Sequence, residues 1–268
     1  MNPRLEAVLS AMKRYNCGVM STECFGFDPD VTYDALVLAP GWKPTKTVLD
    51  PAVRVTQLTQ HAYFSGFLLE KDGLKVAWAQ TASGACNLID HGVICGELRF
   101  NKLIFGGAVG GLVEGFEVGD LCTPELCISG VYSDHYLDER LTPFTPFSEI
   151  RPPEASVEKA VSTAAGLGYV MKRARVFCTD SIALEYSHLD EIRATGAQLI
   201  EMETGTFFKL ASLFEVPAAA LLLVSDNSAT GAPLLGHGDD PDSRYKRVRG
   251  WAIPDLIFAL AGDKSFSA

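Results

Sequence analysis

Short apolar runs alternate with amphipathic segments along most of this chain, and this alternation constrains the fold more than any other feature. The runs that suit buried strands are Ala35–Ala39, Lys75–Ala79, Leu103–Phe105, Leu121–Ser129, Ala174–Cys178, Gln198–Ile200 and Ala218–Val224. Helical patterns lie near Ala85–Leu98, Ala155–Gly166, Leu189–Ala194, Thr204–Phe214 and Pro254–Ala261. Strands that alternate with helices predict an α/β fold, with a mixed, mainly parallel sheet and helices on both of its faces.

The alternation begins after about thirty residues and then continues without a repeat or a long linker. We therefore predict a single α/β domain over residues 34–268. An N-terminal helical extension over residues 1–33 precedes it, with a helix near Arg4–Tyr15. A chain of 268 residues is long enough to bury a substantial core in one such domain.

The charge balance argues against two classes of partner. The 23 Lys and Arg residues are outnumbered by 33 Asp and Glu residues, which gives a formal net charge of −10. An acidic surface repels phosphate backbones and anionic lipids, so we expect neither a nucleic acid nor a membrane as partner. No apolar run approaches the ~20 residues of a membrane span, and the N-terminus does not resemble a signal peptide. With seven cysteines and no CxxC pair, the chain is expected to be cytoplasmic with reduced thiols.

Glycines and polar side chains collect where the predicted strands end. The segments concerned are Gly41–Thr45, Thr81–Ala85, Gly106–Gly111, Thr179–Asp180, Glu201–Glu203 and Ser225–Asp226. In a parallel α/β sheet the carboxyl ends of the strands form the edge at which ligands bind. Any one of these loops could simply turn the chain, but together they predict a binding site at that edge.

Three stretches of the sequence resemble one enzyme family. They are Gly106-Gly107-Ala-Val-Gly110-Gly111-Leu with Val118-Gly119-Asp120, then Ile200-Glu201-Met202-Glu203-Thr204-Gly205, then Leu223-Val224-Ser225-Asp226. In order and spacing they are similar to the nucleoside phosphorylase and nucleosidase family. The resemblance implies a single α/β domain that cleaves the N-glycosidic bond of a nucleoside without a cofactor. It also implies a homo-oligomer (a dimer, trimer or hexamer) in which a neighbour completes each site.

The resemblance assigns roles to two carboxylates. Glu203 corresponds to the family's ribose-binding carboxylate, which holds two hydroxyl groups and stabilises the positive charge that develops on the sugar. Asp226 corresponds to the general acid that protonates a purine ring nitrogen, a role that requires burial to raise its pKa. Two ordinary roles remain open, namely Glu203 as an acid at a helix N-terminus and Asp226 as a helix cap or turn residue.

The same resemblance places further residues around the substrate. Met202 would lie against the ribose, Ser225 would orient the acid, and Asp180 and Ile182 would lie near the base. Pyrimidine-specific relatives read uracil with a Gln and an Arg in the segment that here reads Ala183–His188, so a purine is expected. The remaining positions expected to bind the substrate are Thr179, Glu201, Gly107 and Ala108.

The family's phosphate clamp is largely missing. Thr45 stands where the first-strand loop usually has an arginine, Phe105 where a second arginine is usual, and Ala108 where a serine or threonine is usual. A phenylalanine cannot replace a bidentate guanidinium group. The candidates for a substitute anion site are Gly41, Lys43, Thr45 and Lys46.

These departures favour hydrolysis over phosphorolysis, although the first-strand loop also lacks the glutamate with which family hydrolases activate water. One alternative is an atypical phosphorylase that holds inorganic phosphate, as co-substrate, with Lys43 and Lys46. Another is a non-catalytic nucleoside-binding or storage protein on the same fold. No metal is expected, because the residues of the polar loop Gly236–Asp240 are adjacent rather than at ligand spacing.

Overall fold

The computed structural model describes residues 2–62, 64–141, 143–234 and 243–267. The strands are β1 (Thr32–Tyr33), β2 (Ala35–Pro40), β3 (Arg54–Gln57), β4 (Ser65–Lys71), β5 (Leu74–Thr81), β6 (Arg99–Phe100), β7 (Leu103–Gly111), β8 (Leu121–Ser129), β9 (Ser148–Ile150), β10 (Met171–Cys178), β11 (Leu199–Glu201) and β12 (Ala218–Asn227). The helices are α1 (Pro3–Lys13), α2 (Met20–Phe25), α3 (Pro44–Thr47), α4 (Ala85–Ile94), α5 (Glu154–Gly166), α6 (Leu189–Ala194), α7 (Thr204–Phe214), α8 (Arg244–Arg247) and α9 (Ile253–Gly262). Short 3₁₀ turns lie at Cys95–Glu97, Ser133–Leu137 and Glu185–His188, and a π-helical turn lies at Val248–Ala252.

One large mixed sheet organises the described residues. Its strand order is β11-β10-β8-β12-β7-β2-β5-β4-β3, with β9 added on β8, while β1 and β6 pair separately. The longest ladders, β7–β12 and β8–β10, are parallel, and the edge formed by β3, β4 and β5 is antiparallel. A further pairing between β11 and β7 closes β11, β10, β8, β12 and β7 into a ring. The predicted mixed α/β fold is confirmed.

Strand β12 shows why the sheet needs cover on both faces. Its even-numbered residues from 218 to 224 face the core that contains Phe207 of α7. The odd-numbered residues from 219 to 223 face the core that contains Leu256 of α9. Because successive side chains of a strand point to opposite faces, an uninterrupted apolar run of this kind must be buried on both sides. Helices α7 and α9 provide that burial, as the sequence predicts.

The structure corrects the extent of β7 and β12. The apolar runs alone end these strands at Phe105 and Val224, and the residues beyond them are expected to form loops. In the structure β7 continues to Gly111 and β12 to Asn227, because the two strands stay paired from Leu103 opposite Ala218 to Gly111 opposite Asn227. At the end of this ladder the close approach of the two strands requires glycine, because a Cβ at Gly111 would lie 2.4 Å from the side chain of Asn227.

The antiparallel edge is a feature that the predicted strand pattern lacks. Strands β4 and β5 form a hairpin across Asp72-Gly73, which both have positive φ angles of 52° and 81°. An Asp-Gly pair between two alternating segments is a strong local signal for such a turn. The hairpin therefore follows from local sequence chemistry, and β3 extends the sheet beyond it.

The N-terminal segment packs onto the rest of the described chain. Leu5 and Leu9 of α1 lie in the same core cluster as Phe207, together with Phe25 and Phe27. None of the described helices is long and apolar enough to cross a membrane. Among the described residues no group of three His, Cys, Asp or Glu side chains could hold a metal ion, and the loop Gly236–Asp240 lies outside the described residues.

Candidate active site

A cavity of about 130 Å³ opens at the carboxyl ends of β7, β10, β11 and β12. This is the edge at which the sequence predicts ligand binding. The lining residues are Pro40, Ser83, Gly107, Ala108, Val109, Gly110, Thr179, Ile182, Glu185, Ile200, Glu201, Met202, Glu203, Ser225, Asp226 and Leu234. Nine of the predicted substrate residues are among them: Gly107, Ala108, Thr179, Ile182, Glu201, Met202, Glu203, Ser225 and Asp226.

Glu201 lies at the cavity wall, but its carboxylate is used within the protein. One oxygen accepts the backbone N–H groups of Glu203 and Thr204 at 2.6 and 2.8 Å. The other accepts the Thr204 hydroxyl at 2.8 Å and the Cys178 thiol at 3.0 Å. Glu201 therefore caps the first turn of α7, where a carboxylate satisfies free N–H groups and favours the helix dipole. Its pKa is raised by burial, while these hydrogen bonds oppose the shift.

Glu203 is buried at the start of α7 without capping that helix. Its carboxylate accepts the N–H of Gly84, in the loop after β5, at 2.5 Å. Burial, and then the nearby charge of Glu201, raise the pKa of Glu203 to about 8. The role of a helix N-terminal acid thus belongs to Glu201, and Glu203 is left facing the cavity.

A β-bulge at the end of β12 presents Asp226. Val224 pairs with Val109 and Asp226 with Gly110, so the residues Ser225 and Asp226 stand opposite a single residue of β7. Bulges of this kind re-aim side chains and are frequent beside active sites. The Ser225 hydroxyl donates to the Asp226 carboxylate at 2.6 Å, in agreement with the orienting role predicted for Ser225.

The geometry around Asp226 also bears on its two alternative roles. Asp226 lies within β12 rather than before a helix. The turn that follows is held by Asn227, whose side-chain oxygen accepts the N–H of Ala229 at 2.8 Å. Among the described residues, Asp226 therefore caps no helix, and the turn after β12 is held by Asn227 instead. Its close approach to β7 depends on Gly110, where a Cβ would lie 3.0 Å from a carboxylate oxygen.

Asp180 is not part of the cavity wall in this structure. It is exposed, and its carboxylate accepts the backbone N–H of Tyr132 at 3.1 Å. This bond ties the loop after β10 to the loop after β8. Thr179 and Ile182, on either side in sequence, do line the cavity.

The residues predicted as a substitute anion site do not line the cavity. Trp42 is buried and its carbonyl accepts the indole N–H of Trp78 at 3.2 Å, which anchors the loop after β2. Lys43 then extends over the ring of Phe67, 5.9 Å from its centroid. Gly41, Thr45 and Lys46 are exposed, and none of the four lines the cavity.

Glu185 is a cavity residue that the sequence motifs do not include. It lies in the 3₁₀ turn Glu185–His188, and the residues on both sides of it are exposed while Glu185 is half-buried. Burial, and then the charge of Asp226, raise the pKa of Glu185 to about 7. No local pattern marks it, because only the folding of the loop after β10 brings it to the end of the cavity where Asp226 lies.

The sequence and the fold each match known proteins. The sequence matches the phosphorylase superfamily over residues 79–248. The fold is similar to the crystal structure of AMP nucleosidase from Bacteroides thetaiotaomicron VPI-5482, with a TM-score of 0.68 and 18% sequence identity. That similarity covers 96% of this chain and 95% of the other. A comparison with curated protein sequences finds no match.

Proposed function

Because this chain belongs to the phosphorylase superfamily, we propose that it cleaves the N-glycosidic bond of a nucleoside. The observation that carries the proposal is the meeting of Glu203 and Asp226 in one cavity, although 22 intervening residues separate them in sequence. Cleavage of this bond develops positive charge on the ribose and negative charge on the departing base. An anion beside the sugar and an acid beside the base stabilise those two charges.

In the proposed reaction the ribose hydroxyls donate hydrogen bonds to Glu203, which lowers its pKa from about 8 and stabilises the ionised form that acts on the sugar. As the bond between C1′ and the base breaks, its electron pair leaves with the base, which takes a proton from Asp226. Ser225 keeps the Asp226 carboxyl group in position. A nucleophile then bonds to C1′ on the cation, and Asp226 regains its proton from that nucleophile or from solvent.

We propose water as that nucleophile and a purine as the base. Among the described lining residues there is no Arg, Lys or His with which to bind a phosphate dianion. The candidates Lys43 and Lys46 lie outside the cavity wall, which weakens the alternative of an atypical phosphorylase. The apolar side chains of Ile182 and Ile200 suit a flat aromatic base, and Asp226 suits a purine nitrogen.

One incubation experiment tests these proposals together. The protein is mixed with adenosine, inosine, guanosine, uridine or AMP, each with and without inorganic phosphate. AMP is included because the similar structure is that of an AMP nucleosidase. We expect release of the purine together with free ribose, or with ribose 5-phosphate when AMP is the substrate, independent of inorganic phosphate. Ribose 1-phosphate as the product would support phosphorolysis instead, and binding without any product would support a non-catalytic nucleoside-binding protein.

We also propose that the chain forms a homo-oligomer, as the family resemblance implies. Several large apolar side chains are exposed on the described surface, including Tyr132, Phe147, Leu184 and Tyr186. Burial of such side chains in an interface between copies would be favourable. Light scattering after size-exclusion chromatography should give a mass that is a multiple of 28.9 kDa, whereas a single 28.9 kDa species would contradict the proposal.

A further inference from the structure

We propose that Glu185 determines base specificity by accepting a hydrogen bond from an exocyclic amino group, so that the cavity prefers a 6-aminopurine to a 6-oxopurine. The inference rests on the proposed function and extends it to a particular class of base. Three observations support it: the position of Glu185 in the cavity, the identity of the groups nearest to it, and the hydrogen-bond donors among those groups.

Glu185 is directed into the cavity by the turn that contains it. Leu184 and Tyr186 are exposed on either side, and Glu185 is the half-buried residue between them that lines the cavity. The backbone N–H of Glu185 donates to the carbonyl of Ser181 at 3.1 Å, which holds the turn together. A carboxylate that a short turn places inward, while its neighbours face solvent, is available to a ligand.

Glu185 lies at the same end of the cavity as Asp226, the proposed general acid. The turn that contains Glu185 is close enough to Asp226 for that carboxylate to act electrostatically on both Glu185 and Tyr186, and Glu185 and Asp226 line the same cavity. The charge that acts on Glu203 is that of Glu201, at the start of α7. Glu185 therefore belongs with Asp226, beside the base, rather than with Glu203, beside the ribose.

Among the described lining residues, donors are scarce at this end of the cavity. The Ser225 hydroxyl is directed to Asp226, and the Thr179 hydroxyl donates to the carbonyl of Ser181 at 3.4 Å. The described lining residues include no Arg, Lys, His, Asn or Gln that could donate to a carbonyl oxygen of the base. An ionised Glu185 is an acceptor only, so it pairs with the N–H groups of a 6-amino substituent and repels a 6-oxo oxygen.

Protonation of Glu185 would reverse this preference, because a protonated carboxyl group can donate to a 6-oxo oxygen. Among the described residues, the titratable groups around it are Asp226 of β12, Tyr186 in the same turn, and Glu201 and Glu203 across the cavity. Burial is the larger cause that raises the pKa of Glu185 to about 7. The preference for the 6-amino base should therefore be largest above that pH and should decline below it.

The test is the ratio of kcat/KM for adenosine to that for inosine, measured from about pH 6 to about pH 8. In the unmodified protein we expect the ratio to rise roughly tenfold across this range. A change of this size is about what the free energy of one hydrogen bond to a charged group produces. In Glu185→Gln the ratio should be lower and independent of pH, because a neutral amide can either donate or accept. Glu191→Gln, an exposed acid-to-amide change on α6, is the matched control and should behave like the unmodified protein.

The outcomes separate this inference from the function on which it rests. If both nucleosides are cleaved and Glu185→Gln keeps the original ratio and its pH dependence, the specificity role is wrong and the proposed function stands. If none of adenosine, inosine, guanosine, uridine and AMP is cleaved, the proposed function is wrong. Calorimetric titration of adenine and hypoxanthine into both proteins then decides the role of Glu185, and equal affinity of the unmodified protein for the two bases would overturn it.

Discussion

Acidic residues of the same type acquire different roles in this cavity because their surroundings differ. The oxygens of Glu201 accept four hydrogen bonds from the protein, so its charge is used to begin α7. Glu203 accepts one hydrogen bond, from the backbone N–H of Gly84. Burial, and then the charge of Glu201, raise its pKa to about 8. Burial of a carboxyl group that accepts few hydrogen bonds costs free energy. A ligand whose hydroxyl groups donate to Glu203 would lower that cost, so such a ligand is favoured.

We expect Glu203→Gln to abolish most of the turnover. An amide cannot supply the negative charge that stabilises the ribose cation, and the loss should be about a hundredfold or more in kcat, or roughly 3 kcal/mol. The measurement is steady-state release of the base at saturating substrate. Glu191→Gln, remote from the cavity, is the control for loss of one acidic group, and full activity of Glu203→Gln would rule out the ribose role.

The role of Asp226 can be tested by changing the leaving group. In Asp226→Asn the side chain keeps its shape but has no acidic proton, so cleavage of a purine nucleoside should fall by roughly 10²–10⁴-fold. A nitrophenyl riboside, whose leaving group departs as a stable anion, needs little protonation and should be affected much less. Equal losses on both substrates, with a lower melting temperature, would show a structural role instead.

At the scale of elements, the site depends on how closely β7 approaches β12. The bulge at Ser225 turns Asp226 toward β7, and Gly110 leaves the space for its carboxylate. Gly106, four residues earlier on the same strand, faces the ring of Trp42, and a Cβ there would lie 3.5 Å from that ring, an ordinary contact distance. A methyl group is therefore tolerable at Gly106, whereas at Gly110 it would press on the acid.

Gly110→Ala should lower activity while the fold is kept. A Cβ there would lie 3.0 Å from the Asp226 carboxylate and 3.2 Å from a methyl group of Ile200, so both side chains must shift by some tenths of an ångström. We expect kcat to fall about tenfold or more, since small displacements of catalytic groups are costly. Gly106→Ala is the matched control and should retain activity. If Gly110→Ala were as active as Gly106→Ala, Asp226 would not need its present position.

At the scale of the whole molecule, the site makes stability depend on pH. The pKa values of Glu203 and Glu185 are raised to about 8 and about 7, above the value near 4.3 of an unfolded glutamate. The folded protein therefore retains protons that the unfolded chain has lost, and these groups lower the free energy of unfolding as pH rises from about 5 to about 8. His91, whose pKa is lowered by burial, acts in the opposite direction below about pH 6.5.

Glu203→Gln isolates the largest of these contributions. It removes a buried acid that becomes charged as the pH rises, so it should raise the free energy of unfolding near pH 8 by about 3.5 kcal/mol relative to its effect near pH 5. Urea denaturation of both proteins at both pH values measures this difference, in which the contribution of His91 cancels. The inactive variant should thus be the more stable one at alkaline pH, and a difference of zero would contradict the raised pKa of Glu203.

The kind of each main element follows from local sequence, because burial patterns repeat with the period of the strand or helix that they form. The apolar run of β12 and the amphipathic pattern of α7 predict those elements and the faces that they bury. The motif residues Glu203 and Asp226, which the sequence singles out, both line the cavity. Both predictions depend on neighbours in sequence, or on a motif whose spacing the fold preserves.

Tertiary structure decided the features that depend on contacts between residues distant in sequence. Strand β7 extends through its glycines because β12 pairs with them, and β11 closes the ring by pairing with β7. Glu185 enters the cavity because the loop after β10 folds inward, and Lys43 stays out because Trp42 is buried beneath the loop that carries it. A run of residues specifies its own periodicity, but the partner of a strand edge or a carboxylate is set by which surfaces pack together, so these features appear only in the folded chain.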